Sequence, residues 1–316
     1  GYHRIFFKQK IRKLYRDLDG FGIAGECDLI HATTLFSDGA LAYALFKKYG
    51  KPYIVSVRNT DINMFLKYKP HLIFLARKIL DNAQQLIFIS QSNFDNFFQH
   101  PLVTLFALRY WKKAVVINNG IERLWLENID TRKRTCAKRV LFIGRFDRNK
   151  NALRLVQAFL ALRGTRPDLR LSLVGSAGPH ERKVRLLAAR HPECITFHGP
   201  VAPGAGLIDI CRASYLFAMA SRHETFGLVY VEALTQGLPV LFTKGQGIDR
   251  TFSENIGVSV DPSSVANIRC GLEQMIDNYA SFEPGQVQFE RFMWENIAAR
   301  YLEMYRTILS PPAPFR

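Results

Sequence analysis

Short runs of β-branched and aromatic residues alternate along the chain with stretches whose apolar positions recur at helical spacing. Hairpins would place tight-turn residues between successive strands, whereas helix-length segments separate them here, so the pattern predicts parallel βαβ units. A first set of strands is expected at Asp28–His31, Tyr53–Val57, Leu86–Ser90 and Val115–Asn118, with helices over Asp38–Tyr49 and His71–Asp81. A polar, charged break from Glu122 to Lys138 then reads as a linker. A second set follows at Val140–Ile143, Leu171–Val174, Ile195–His198, Tyr215–Ala220, Pro239–Thr243 and Val258–Val260. The expected architecture is α/β, with two doubly wound, Rossmann-like parallel sheets over residues 1–121 and 122–285 and a closing segment over 286–316. Ligands of such sheets sit at the carboxyl ends of the strands, so the residues just beyond each strand are the ones to inspect.

A chain of 316 residues, 48% of them hydrophobic, has enough apolar mass for two cores. Its cysteines (Cys27, Cys136, Cys194, Cys211, Cys270) are odd in number, scattered and never spaced C-x-x-C. That argues against a disulfide framework or a zinc site and favours a reducing, cytoplasmic setting. No apolar run approaches the roughly 20 residues that span a bilayer. The formal charge of +16 calls for an anionic partner, and residues 1–121 carry 17 Lys and Arg against 8 Asp and Glu. Nucleic acid is disfavoured because no reading motif accompanies the cations. Aromatics interleave with cations around Phe6 and Phe7, at Lys67-Tyr68-Lys69 and at Arg109–Lys113. This suits either peripheral contact with an anionic membrane face or a buried stripe with snorkelling cations.

Two stretches carry candidate chemistry. Beyond Val140–Ile143 the chain reads Gly144-Arg145-Phe146-Asp147-Arg148-Asn149-Lys150. Arg145 as a planar fork and Lys150 as a point charge suit a diphosphate, although two cations in a loop taken alone are more often an ordinary solvated surface. Beyond Tyr215–Ala220 comes Ser221-Arg222-His223-Glu224-Thr225-Phe226-Gly227-Leu228, leading to Glu232. Thr225 is expected to cap a helix whose free N–H groups and positive dipole end attract phosphate. Gly227 permits close approach of a ligand. Glu224 then stands before the helix, and Glu232 about 9 Å further along it, within reach of a ribose. The Asp17-Leu18-Asp19 triplet lies in a basic helix and reads as surface, not as a metal site.

Together these stretches resemble the retaining glycosyltransferase family 4 of the GT-B fold. The resemblance rests on the G-R-x4-K element ending at Lys150, the strand with its glycine at Leu171–Gly175, and the E-x7-E pair Glu224 and Glu232 running on to Pro239. Further matches are the D-x-I-H strand within Cys27–His31, Ile89-Ser90, the turn Asn119-Gly120-Ile121 and the closing helix Trp294–Tyr305. It implies two domains facing across a cleft and sugar transfer from a nucleotide diphosphate carrier to a glycan or lipid-linked acceptor. Neither metal nor a further cofactor is implied. Arg145 and Lys150 would bind the diphosphate and, with Glu224 at the transferred sugar, form the catalytic set. Gly144 and the backbone of Phe226, Gly227 and Leu228 would receive the nucleotide, and Glu232 its ribose. The family has a strand and a glycine-rich loop ahead of the part matching Asp28, so the first domain is expected to be N-terminally incomplete. It also has a histidine where this chain reads Arg58-Asn59-Thr60-Asp61, so Arg58 and Asp61 are expected either to face the cleft or to form an ion pair. An epimerase or phosphorylase of the same architecture, or a non-catalytic nucleotide-binding module, remains an alternative.

Overall fold

The structure, a computed structural model, describes residues 7–134 and 138–310. The chain forms two compact units, one comprising residues 1–118 with 295–316 and the other residues 119–294. Both are built on wholly parallel sheets, as the alternating pattern predicts.

The first unit has the strands β1 (Ile30–Ala32), β2 (Tyr53–Val57), β3 (Gln85–Phe88) and β4 (Ala114–Val116), in that order across the sheet. Every residue of β2 is buried because both faces of the sheet are covered. Tyr53, Val55 and Val57 point to one face, into a core shared with helices α1 (Phe7–Gly20), α2 (Ser37–Tyr49), α3 (Ile73–Asn82) and α4 (Gln91–Phe98). Ile54 points to the other, where it joins Ile87, Ile117 and Ile297. Ile297 belongs to the last helix of the described chain, Trp294–Leu309. On that second face His31 hydrogen-bonds Tyr305 Oη through Nδ1 at 2.8 Å and Ser56 Oγ through Nε2 at 3.0 Å. Helix ends follow local chemistry: Ser90 caps α4 by accepting from Asn93 N–H, and Gly50 in the left-handed region ends α2.

Several aromatic and basic positions turn inward rather than outward. Phe7 is in the core, while Phe6 lies outside the described residues, as does Cys136. Tyr110 is buried and donates to Asp81 Oδ1 at 2.7 Å. Lys113 Nζ donates to the carbonyls of Leu80 and Ala83, closing the end of α3. Asp19 of α1 accepts from Lys48 Nζ at 2.7 Å and Tyr49 Oη at 2.5 Å, so it holds α1 against α2.

In the second unit the strands are β5 (Arg139–Ile143), β6 (Arg170–Val174), β7 (Ile195–Gly199), β8 (Leu216–Ala218), β9 (Val240–Thr243) and β10 (Gly257–Val260), in the order β10-β9-β8-β5-β6-β7. Helices α5 (Ala152–Arg163), α6 (Glu181–Arg190), α7 (Leu228–Thr235) and α8 (Val265–Asp277) cover this sheet. The break from Glu122 to Lys138 is not an open linker where it is described. It carries a short helix, Arg123–Glu127, whose Trp125 is buried, and Asp130 N–H donates to Thr235 O. Asp130 also accepts from Arg132 and Arg134, and these partners hold its carboxyl far below the usual range. Polarity misleads here because the charges are paired with one another, while a single tryptophan anchors the segment.

Candidate functional site

Strand β5 is the point where the second sheet reverses direction: the chain runs from it to β6 and β7 on one side, then returns to lay β8 on the other. Loops leaving neighbouring strands at such a point diverge and leave a crevice between them. Those loops hold the two stretches singled out from the sequence.

Lys150 and Glu224 meet there, with Nζ 2.6 Å from Oε2 and both side chains largely buried. Each is fixed by its own backbone. Lys150 N–H donates to Asp147 Oδ1 at 2.8 Å, and Glu224 N–H donates to Gln246 Oε1 at 3.3 Å. The carbonyl of Glu224 accepts from Gly247 N–H at 3.0 Å. Asn149 fastens the two loops: its side-chain amide donates to His223 O and its carbonyl oxygen accepts from His223 N–H, while its backbone carbonyl accepts from Arg222 N–H. Asn151, in the left-handed region at φ 61°, donates to both Ala220 O and Pro262 O. Sequence reasoning missed Asn149, Asn151 and Gln246. Inspecting the residues after each strand would have reached Gln246, which follows β9, but asparagine in a loop carries no signal of its partner 74 residues away.

Arg145 projects outward from the same loop, 69% exposed, with Nε 3.7 Å from Asp147 Oδ2, too far for a hydrogen bond. Gly144 N–H donates to Val174 O at 3.0 Å. A β-carbon on Gly175, the glycine beyond β6, would lie 2.0 Å from the Gly144 carbonyl oxygen, so the loop's path requires a residue without one.

Helix α7 starts two residues later than the sequence suggested, and Thr225 does not cap it. The position before Leu228 is Gly227 at φ 85°, which interrupts the helical run and supplies no capping side chain. A β-carbon there would also fall 2.6 Å from the Tyr230 ring. The N–H groups of Gly227, Leu228 and Val229 consequently have no partner among the described residues, and Gly227 lies beside the Glu224 side chain. Phe226 is buried against Phe292, which leaves its backbone rather than its ring to the crevice. Tyr230 Oη donates to Met219 O at 2.5 Å and holds the helix to the end of β8.

Glu232 lies four residues into α7, about 6 Å from Leu228 at 1.5 Å per residue rather than the 9 Å expected. Burial, followed by the nearby charge of Glu122, raises its pKa from 4.5 to about 7. Its carboxylate has no hydrogen-bond partner among the described residues. The side chains of Arg58 and Asp61 form no ion pair: Arg58 Nε donates to Thr33 O at 3.1 Å, and Asp61 is a buried acceptor for the N–H groups of Leu35, Phe36 and Arg58. Burial lifts the pKa of Asp61 to about 6 against these three bonds. Among the described residues no three His, Cys, Asp or Glu side chains cluster as metal ligands, and no helix is long and apolar enough to cross a membrane.

Residues 127–285, half of the chain, match the family described as glycosyl transferases group 1. The chain belongs to this family. Within it, the D-inositol 3-phosphate glycosyltransferase of Arthrobacter sp. (strain FB24) is 33% identical over 177 residues, covering 52% of this chain and 42% of that protein. The glycogen synthase of Mycobacterium tuberculosis (strain ATCC 25618 / H37Rv) is 25% identical over 205 residues, 61% of this chain and 48% of that one. The chain thus spans less than half the length of these curated relatives. Its fold matches HepE from Anabaena, solved in complex with UDP, at a TM-score of 0.71 and 19% identity over 94% of this chain and 82% of that one. Sucrose-phosphate synthase from Thermosynechococcus elongatus matches at 0.68 and 20% identity, over 94% and 78%. The two parallel-sheet units are therefore those of a GT-B fold.

Proposed function

We propose that the second unit binds a nucleotide diphosphate sugar and that the protein transfers the sugar to an acceptor hydroxyl with retention of configuration, as in glycosyltransferase family 4. The observation that carries the reading is the Lys150–Glu224 contact beside the unpartnered N–H groups of Gly227 and Leu228, at the reversal point of the sheet. Phosphate oxygens suit those N–H groups and the positive end of α7. Arg145, exposed and weakly engaged, swings onto the diphosphate, and Lys150 lies between it and the sugar held by Glu224. Glu232 receives the ribose hydroxyls through a carboxylate that lacks other partners.

The bond from the anomeric carbon to the phosphate oxygen breaks while the acceptor oxygen attacks from the same face, and the acceptor proton passes to the departing phosphate. No protein nucleophile takes part. Arg145, Lys150 and the backbone N–H groups supply the positive field that stabilises the leaving diphosphate, so the reaction runs without a metal ion. The acceptor is a glycan or lipid-linked species of the cell envelope at the cytoplasmic face of the membrane. HepE was solved with UDP and with UDP-glucose, which makes uridine nucleotides the first to try.

Calorimetry with the diphosphates and diphosphate sugars of uridine, guanosine and adenosine, in EDTA, tests the reading. One nucleotide is expected to bind selectively, with Arg145→Ala and Lys150→Ala weakening the free diphosphate about 10-fold or more. Glu224→Ala is expected to spare the free diphosphate and abolish slow donor hydrolysis. No selective nucleotide, or a strict need for a divalent ion, would overturn it.

A further inference from the structure

We infer that the first unit docks on an anionic lipid surface through the segment between α4 and β4. Four large apolar side chains stand in solvent there. Leu105 and Leu108 are 91% and 88% exposed, Trp111 is 53% exposed, and Phe74 on the adjoining helix α3 is 70% exposed. Isolated exposed leucines are ordinary, but adjacent ones on a rigid base mark a contact surface.

The base is rigid because the same segment is anchored from below. Val103 and Tyr110 are buried, and the Trp111 ring packs 4.6 Å from Phe94 and 5.2 Å from Phe98. Leu108 and Trp111 are three residues apart on the short helix Ala107–Trp111 and so share a face. Between buried Val103 and Tyr110 the residues from Thr104 to Arg109 are exposed or half-buried, so the segment stands out as a ridge.

The charge around that ridge is predominantly positive. From Asn96 through Ile121 the chain contains no Asp or Glu. Arg109 and Lys112 are exposed beside the leucines, and Arg77 of α3 lies over the Phe106 ring at 5.4 Å, which joins the two elements into one surface. Lys113 is excluded because it closes α3, and the carboxylate that meets the patch, Asp81, is engaged by Tyr110 and Arg109. Apolar side chains that enter the acyl boundary, ringed by cations at headgroup level, are the pattern of interfacial binding to acidic lipid.

This inference deepens the membrane-side reading of the acceptor and rests on it for its biological sense, but not for its physics. Vesicle binding is therefore measured on the full chain without donor, and nucleotide binding on the same variants. With vesicles of phosphatidylcholine containing about one-third phosphatidylglycerol, the chain is expected to co-sediment and its emission to shift to shorter wavelength, the shift disappearing in Trp111→Phe. Arg109→Ala with Lys112→Ala is expected to weaken partitioning roughly 30-fold, about five-fold per cation. Leu105→Asp with Leu108→Asp is expected to abolish binding without altering circular dichroism or melting, since neither side chain supports the fold. Equal binding to neutral vesicles, binding insensitive to the two leucines, or self-association removed by the leucine variant in place of vesicle binding would each overturn the inference. Loss of nucleotide binding in wild type would instead count against the transferase reading alone.

Discussion

Replacing Glu232 by Gln removes a carboxyl that folding forces toward neutrality. Its pKa rises from 4.5 unfolded to about 7 folded, chiefly because burial disfavours the charged form and secondarily because Glu122 repels it. The folded chain therefore holds this proton over a pH range in which the unfolded chain has lost it. Stability is unaffected below pH 4.5, falls as pH rises from 4.5 to about 7, and levels off above, the reverse of a salt-bridged carboxylate. The full shift corresponds to about 3 kcal/mol at 1.36 kcal/mol per unit, reduced to about 2 kcal/mol by the residual solvation of a side chain that is not wholly enclosed. Glu232→Gln is therefore expected to match wild type near pH 4.5 and to exceed it by about 2 kcal/mol at pH 8, roughly 4–8 °C in Tm for a unit of this size. Urea titrations between pH 4.5 and 8 measure it, with the emission of buried Trp125 reporting the second unit. Glu122→Gln is expected to recover a smaller part of the same gain. Parallel pH profiles for wild type and Glu232→Gln would refute the assignment. If the carboxylate receives ribose hydroxyls, nucleotide affinity in wild type rises as pH passes upward through 7, and the variant lacks that rise.

A double-mutant cycle on Lys150→Ala and Glu224→Ala is expected to give a coupling of about 1–3 kcal/mol in unfolding, and additivity would show that the 2.6 Å contact is not formed in solution. Asn151→Ala loses two side-chain hydrogen bonds and the residue's tolerance of positive φ, for about 2–4 kcal/mol, whereas Asn151→Gly keeps the backbone freedom and loses less. Equal losses for the two substitutions would show that the backbone is unstrained. His31 has its pKa lowered by burial and then by Arg58, so the unfolded chain takes up its proton first and the first unit weakens as pH falls below 6.5. His31→Gln is expected to flatten that decline, and an unchanged slope in acid denaturation monitored through Trp111 would remove the histidine as its cause.

Which segments become strands and helices is a short-range matter, and the chain states it plainly. Tyr53–Val57 was readable because covering both faces of a parallel sheet demands an unbroken apolar run. That Arg145, Lys150 and Glu224 stand in loops beyond the carboxyl ends of β5 and β8 was readable because a polar loop follows each strand pattern. The start of α7 was not readable from Thr225, since the deciding fact is the positive φ of Gly227, at a position where a β-carbon would meet the Tyr230 ring. The contact of Lys150 with Glu224 belongs to tertiary structure, for it exists because β8 returns beside β5 and Asn149 fastens loops 74 residues apart. The same holds for the titration of Glu232: any sequence shows a glutamate among apolar neighbours, but only the folded unit places it near Glu122 and away from water. Periodicity of side chains is a property of the local backbone and survives in one dimension. Electrostatic environment depends on which distant residues and how much solvent lie within a few ångströms, and the packed chain alone sets that.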